Sequence, residues 1–271
     1  MSVTDFQLKH FLDKQVEIYN SPTFITNDPI SIPHRYSDKH DIEIMGFFAA
    51  TLAWGQRKTI LQKCAELADR MNNSPYSFIM KNNVEEMQRL VGFKHRTFND
   101  TDLLYFVDFL HRHYQHYDSL EDAFLTNGLF ISVENSLTQF EKKFFDHPDA
   151  PNHTRKHIAT PARNSTCKRL NMFLRWMVRY DDKGVDFGLW KRIPQRALIC
   201  PIDVHVERTA RQLGLITRKQ TDWKTALELT ESLRQLDRDD PVKYDFALFG
   251  LSVDQKVAIK KPLRNSIMGI H

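Results

Sequence analysis

Apolar positions recur three and four residues apart along almost the entire chain, the spacing that turns one face of an α-helix inward. Val3 to Tyr19 places Phe6, Phe11, Leu12, Val16 and Ile18 near that period, and Pro22, Pro29 and Pro33 then break regular structure in a connector. Asp41 to Asp69 reads as a long helical stretch interrupted near Gly55; Ser74-Pro75 restarts a short helix, and Asn82 to Leu90 another. A helix begins at Asp100 with Leu103, Leu104, Phe106, Val107 and Leu110 inward, a short one begins at Ser119, and Val133 to Phe145 groups Leu137, Phe140, Phe144 and Phe145. His147 to Pro161 reads as a polar loop. Ser165 is placed to cap a helix reaching Arg179, with Leu170, Phe173, Leu174 and Met177 on its buried face. A loop with Gly184 and Gly188 leads to Pro201. Asp203 opens a helix that ends at Gly214, Asp222 caps the next, and Asp240-Pro241 starts one expected to close at Gly250. The final twenty residues are basic and irregular and read as a tail. The fold class this predicts is all-α.

Composition narrows the chemistry. Hydrophobic residues at 41% with 19 Phe supply a core and exclude intrinsic disorder. Glycine is scarce, 9 of 271 residues, well below the usual ~7%. No G-x-G-x-x-G or G-x-x-x-x-G-K-[ST] string occurs, so a Rossmann or P-loop nucleotide site is not expected, and no cofactor is. Cys64, Cys167 and Cys200 are far apart and odd in number. They make no disulfide framework and lack the spacing of a zinc site or iron–sulfur cluster. No apolar run approaches the ~18 residues of a membrane span, and the start shows no signal-peptide pattern, so a cytoplasmic protein without membrane contact is expected. His111, His113 and His116 look metal-like, but only His113 and His116 share a face and no acid follows at ligand spacing. They read as a helix surface, and no metal site is expected.

Charge changes the picture through its distribution. The formal net charge is only +4, yet the 31 residues from Ala150 to Tyr180 contain Arg155, Lys156, Arg163, Lys168, Arg169, Arg175 and Arg179 and no acid. That segment carries +7, leaving −3 for the other 240 residues. A single-sign stretch attracts polyanions, of which phosphate backbones are the commonest; a solvated helix face is the alternative.

Two blocks carry more than helix periodicity: Ser165 to Arg179, reading STCKRLNMFLRWMVR, and Pro201 to Leu215, reading PIDVHVERTARQLGL. The second resembles the V-D-x-H-[VI]-x-R-x-x-x-R-[LT] segment of the helix–hairpin–helix DNA glycosylase superfamily, which includes endonuclease III and 8-oxoguanine glycosylases. The chain is also similar, from about Asp28 to Leu251, to a family of uncharacterised bacterial proteins sharing the first block and D-P-V-K-Y-D-F-A-L. The glycosylase resemblance implies a two-lobed helical fold: residues 41–185 as a central lobe including the hairpin, 1–40 with 186–271 as the second, and a cleft between. It places a catalytic carboxylate on Asp203 and a nucleophilic amine on Lys168, whose neighbours Arg169 and Arg175 favour the neutral amine. It also implies that Arg163, Asn164, Ser165, Arg169, Arg175, His205 and Arg208 contact nucleic acid, DNA or RNA. In Phe47 to Lys58 it puts Gln56 where a Gln fills the gap left by an extruded base, with Arg57 beside it. Trp54, Phe93, Arg96 and Trp176 are candidates to line a base pocket. The family's hairpin glycines are replaced by Thr160-Pro-Ala-Arg-Asn-Ser165, where Asn164 is able to adopt left-handed geometry. The implied function is base excision, with a lyase step where Lys168 attacks. The alternatives are a nucleic-acid-binding protein without catalysis and a helical scaffold for protein partners.

Overall fold

The computed structural model describes residues 3–254; the expected basic tail lies, from residue 255 on, outside them. The described chain divides into two units, one formed by residues up to Phe24 and from Pro161 onward, the other by Ile25–Thr160. Among the described residues no helix is long and apolar enough to cross a membrane. The architecture is helical apart from one two-stranded hairpin. α1 (Val3–Tyr19) and the single turn α2 (Pro22–Ile25) come first.

In the unit Ile25–Thr160, the prolines of the connector start two 3-10 turns, Pro29–Ser31 and Pro33–Arg35. The helices are α3 (Lys39–Leu52), α4 (Arg57–Arg70), α5 (Pro75–Lys81), α6 (Val84–Gln88), α7 (Asp100–Tyr114) and α8 (Val133–Phe144). Asp38 caps α3 by accepting from the backbone of His40 at 2.9 Å, and every residue of α3 from Ile42 on is buried. Phenylalanines knit the core: Phe47 stacks on Phe106 at 5.4 Å and Phe124 on Phe140 at 4.2 Å. The one buried acid of α3, Glu43, accepts from Tyr114 Oη (2.9 Å), Ser119 Oγ (2.6 Å) and the Leu120 amide (2.8 Å). Its charge is thereby solvated by the protein.

Three expectations change in this unit. A hairpin, β1 (Lys94–His95) with β2 (Phe98–Asn99), turns through Arg96 in left-handed geometry at φ 57°. The segment read as a polar loop contains a 3-10 turn, Asn152–His157, with Thr154 and His157 buried. Asp102 of α7 holds it there: its carboxylate accepts from Thr154 Oγ1 at 2.7 Å and meets His157 and His153 at 3.3 Å each. The same carboxylate accepts from the Asn99 amide, closing a capping box. Finally, His113 is buried and bonded to the Ser119 carbonyl at 2.8 Å, so it belongs to the interior rather than a helix surface.

The other unit packs α1 with α9 (Lys168–Val178), α10 (Val204–Gln212), α11 (Trp223–Leu236) and α12 (Tyr244–Asp254). Residues 161–185 belong here and not with a central lobe, because α9 is buried from Leu170 to Val178 against this unit's own segments. The Phe187 and Trp190 amides donate to carbonyls in the last turns of α9, and Trp190 meets Phe173 edge-on at 5.3 Å. Ser165 is not the cap of α9: Cys167 is, in left-handed geometry, with Ser165 Oγ accepting from the Cys167 amide at 3.1 Å. Gly250 does not close the last helix. It lies inside α12, where a Cβ would overlap the Tyr19 ring of α1. Glycine is there for close helix approach, not termination.

Candidate active site

Lys168 is the first residue of α9, and Asp203 is the N-cap of α10. Asp203 Oδ1 accepts from the amides of His205 (2.9 Å) and Val206 (3.0 Å), which fixes the carboxylate. Its other oxygen, Oδ2, stands 3.9 Å from Lys168 Nζ. Both side chains are 25% exposed. At that separation and exposure the two form a partly exposed ion pair that adds little stability. Lys168 Nζ also contacts Met172 Sδ at 3.3 Å. The two residues belong to the same unit, not to opposite lobes as expected.

Behind this pair lies a buried ionic network that the sequence reading missed. Arg175 bonds Asp186 at 3.2 Å and Asp245. Arg179 bonds Asp186 (3.0 Å), Asp240 (2.9 Å) and Asp181 (2.7 Å). Both guanidiniums lie near the Phe246 ring, at 4.4 and 5.3 Å. Burial pushes the Asp245 carboxyl up to about 6; Arg175 and Lys168 pull it down, Asp203 and Asp186 push it further up. The Asp240 carboxyl is raised by burial too, against the pull of Arg179.

The other sequence candidates fall into two groups. Arg163, Asn164 and Arg208 are exposed, Ser165 and His205 half-buried. Arg169 is half-buried, and desolvation lowers its guanidinium to about 10. His205 Nδ1 meets Ser252 Oγ at 3.2 Å, which joins α10 to α12. Arg175 is not a nucleic-acid contact; it is 3% exposed and committed to two carboxylates. Trp176 is fully buried on α9 and Phe93 is 1% exposed beside the Phe98 ring, so both are core rather than pocket lining. In the Ile25–Thr160 unit, Trp54 and Arg96 do come together, with the guanidinium 4.8 Å over the indole ring. Gly55 is at φ 106° under that arginine, and Gln56 and Arg57 follow, exposed, at the start of α4.

The basic stretch is likewise redistributed. Arg155 pairs with Glu141 at 3.3 Å, and Arg175 and Arg179 are internal. The stretch is also shared between both units, since the boundary falls at Pro161. Of its charges in the Lys168 unit Arg163 is exposed and Lys168 and Arg169 are half-buried; Lys191, Arg192 and Arg196 of the acid-free run Phe187–Ile202 are exposed as well.

A family model described as protein of unknown function, DUF2400, matches residues 28–254. The chain belongs to that family. No curated protein and no solved structure matches it. The DUF2400 span contains Lys168, Asp203, the arginine–aspartate network and the Trp54–Arg96 contact, and begins after α1.

Proposed function

We propose that this DUF2400 chain is a base-excision enzyme acting on DNA, with Lys168 as nucleophile and Asp203 as the carboxylate that stabilises positive charge on the sugar. The observation that carries the reading is the pairing of these two residues at 3.9 Å, each a quarter exposed. In this scheme the neutral Lys168 amine attacks C1′ of a damaged nucleotide. The bond to the base breaks and the base leaves with the glycosidic electron pair, taking a proton from solvent. Loss of the amine proton and opening of the sugar ring then give an iminium, from which β-elimination cuts the strand. Asp203, fixed by two backbone amides, faces the oxocarbenium-like charge that develops on the way. Asn164 and Cys167 are left-handed, at φ 55° and 52°. That supports a hairpin-like turn before α9 even without the glycines that usually adopt this conformation.

The test incubates the protein with duplexes each carrying one lesion, including 8-oxoguanine and an abasic site, with borohydride to trap the iminium. Wild-type protein forms a covalent adduct, K168Q does not, and D203N loses excision. If no duplex is cut or trapped, the reading fails. The replacement of hairpin glycines by Thr160–Ser165 favours a second reading, nucleic-acid binding without chemistry. That reading predicts salt-dependent binding of the same duplexes with no product.

A further inference from the structure

The end of α9 away from Lys168 carries a group of side chains that the excision chemistry does not use. Tyr180 follows the helix, about one helix length, ~16 Å, from Lys168. Its side chain is 66% exposed, yet it is held in place by the segment 188–195. Gln195 Oε1 accepts from the Tyr180 amide at 2.8 Å. The backbone at Gly188 lies so close that a Cβ there would overlap Tyr180 Cβ. Lys191 Nζ stands over the ring, 5.5 Å from its centroid. The segment is itself anchored, because the Phe187 and Trp190 amides donate to the Trp176 and Met177 carbonyls and Trp190 is buried against Phe173. Those bonds occupy carbonyls at the end of α9 that would otherwise present partial negative charge to an anion.

We propose that this end of α9 is a docking surface for single-stranded nucleic acid, with the Tyr180 ring as a stacking platform for a base and Lys191 and Arg196 as phosphate contacts. An exposed aromatic ring already fixed by its backbone loses little freedom when a base stacks on it. Around it, the exposed positions from Phe187 to Arg196 are Lys191, Arg192 and Arg196, within a run that contains no acid. The acids that lie near Tyr180 in sequence or space are largely engaged elsewhere. Asp181 is tied to Arg179 at 2.7 Å and to Asn20 at 2.6 Å, and Glu17 to Lys183 at 2.8 Å. Asp182 is exposed, one negative charge beside the cations. Cations around a stackable ring match a strand whose phosphates and bases are both within reach, which a single strand offers and a stacked duplex does not. An anionic membrane surface would call for apolar side chains among the exposed positions, and this segment exposes cations there.

The test titrates the intact protein into fluorescein-labelled oligothymidylate and oligouridylate over a range of salt and reads fluorescence anisotropy. Both strands carry the phosphates and stackable bases that the surface needs, and the tighter of the two identifies DNA or RNA as the source. Y180A is expected to weaken binding about tenfold, the loss of one base–aromatic stack, while Y180F retains it. Y180A is expected to bind the matching duplex as the wild type does. K191Q/R196Q is expected to lower the salt slope by about 1.4, at ~0.7 for each phosphate contact on a single strand, and Y180A to leave the slope unchanged. The slope measurement stands even if Y180A does not fold. Wild-type protein that binds neither strand at low salt, folded Y180A that binds as tightly as the wild type, or an unchanged slope in K191Q/R196Q overturns the proposal. Capture of phosphatidylglycerol vesicles with no binding of either strand overturns it in favour of a membrane surface. The strands are undamaged, so their binding does not depend on excision. If they bind as expected while no lesion duplex is cut or trapped, the excision reading fails and the docking surface stands; if trapping succeeds and Y180A binds as the wild type does, the reverse holds.

Discussion

Asp102 is the most exacting test of the electrostatics in the Ile25–Thr160 unit. Its side chain is fully inaccessible. Burial by itself raises a carboxyl, but bonds from His157, the Asn99 amide and Thr154 more than offset this and hold Asp102 at about 2, against an ordinary 3.8. A folded-state value below the unfolded one means stability that is fully present above the unfolded value and lost as pH falls through the folded one. The gap corresponds to about 2.5 kcal/mol at pH 7, nearly all of it retained at pH 5 and about half at pH 3. Asp102→Asn keeps the shape, removes the charge and turns an amide donor toward groups that need an acceptor. It is expected to cost about 2 kcal/mol at pH 5 and clearly less at pH 3. Native-state hydrogen exchange of the α7 amides, followed as a function of urea at the two pH values, reads this unit separately. Peptides spanning 152–158 should lose protection first, because Thr154 and His157 lose their anchor. A cost that is the same at pH 3 and pH 5 would refute the reasoning, since the charge would then not be what binds the turn to α7.

Three further outcomes concern a helix contact, a helix cap and the buried thiols. Gly250→Ala gains about 1 kcal/mol of helix propensity. It nonetheless is expected to destabilise by about 1–3 kcal/mol, since its methyl meets the Tyr19 ring. Thermal unfolding of the Tyr19→Ala/Gly250→Ala pair should show the penalty vanish, and additive losses would argue against the overlap. Asp203→Ala should lose about 1 kcal/mol with the cap of α10, while Asp203→Asn keeps the cap; trapping should be lost in both. Trapping that tracked stability across the two variants would reduce Asp203 to a structural cap. All three thiols are buried, with Cys64 and Cys167 raised to about 12 by burial and Cys200 raised well above its ordinary value by the same cause. A disulfide reagent should label none of them until denaturant is added, and rapid labelling in native buffer would contradict that burial.

Much of the helical frame was legible because its signals are local. Asp203 and Asp222 cap the helices they precede, and Gly214 stands at φ 72° just past the end of α10. The hairpin at Lys94–Asn99 was not legible, because two residues per strand give no alternation to read. Gly250 misled for a different reason: a glycine after an apolar run looks like a stop, and only the Tyr19 ring of α1 shows it to be a contact.

The arginines of α9 show how a functional reading goes astray. Arg175 lies in a stretch without acids, and local charge suggested that it faces phosphate. Its counter-charges come from Asp186 and Asp245, 11 and 70 residues away in sequence. A signal was nevertheless present. Lys168, Met172, Arg175 and Arg179 follow one another at helical intervals of four, three and four, so they form a single stripe. Every other residue from Leu170 to Val178 is apolar except Asn171, so that stripe had to run into the interior. A cationic stripe entering a core requires buried acids, because an unpaired guanidinium there is prohibitively desolvated. The D-P-V-K-Y-D segment offers two of them at Asp240 and Asp245. Read that way, only the outermost cation of the stripe, Lys168, stays accessible, and it is the one beside Asp203. The inner arginines fasten α9 to α12 and leave the lysine at the helix start a quarter exposed.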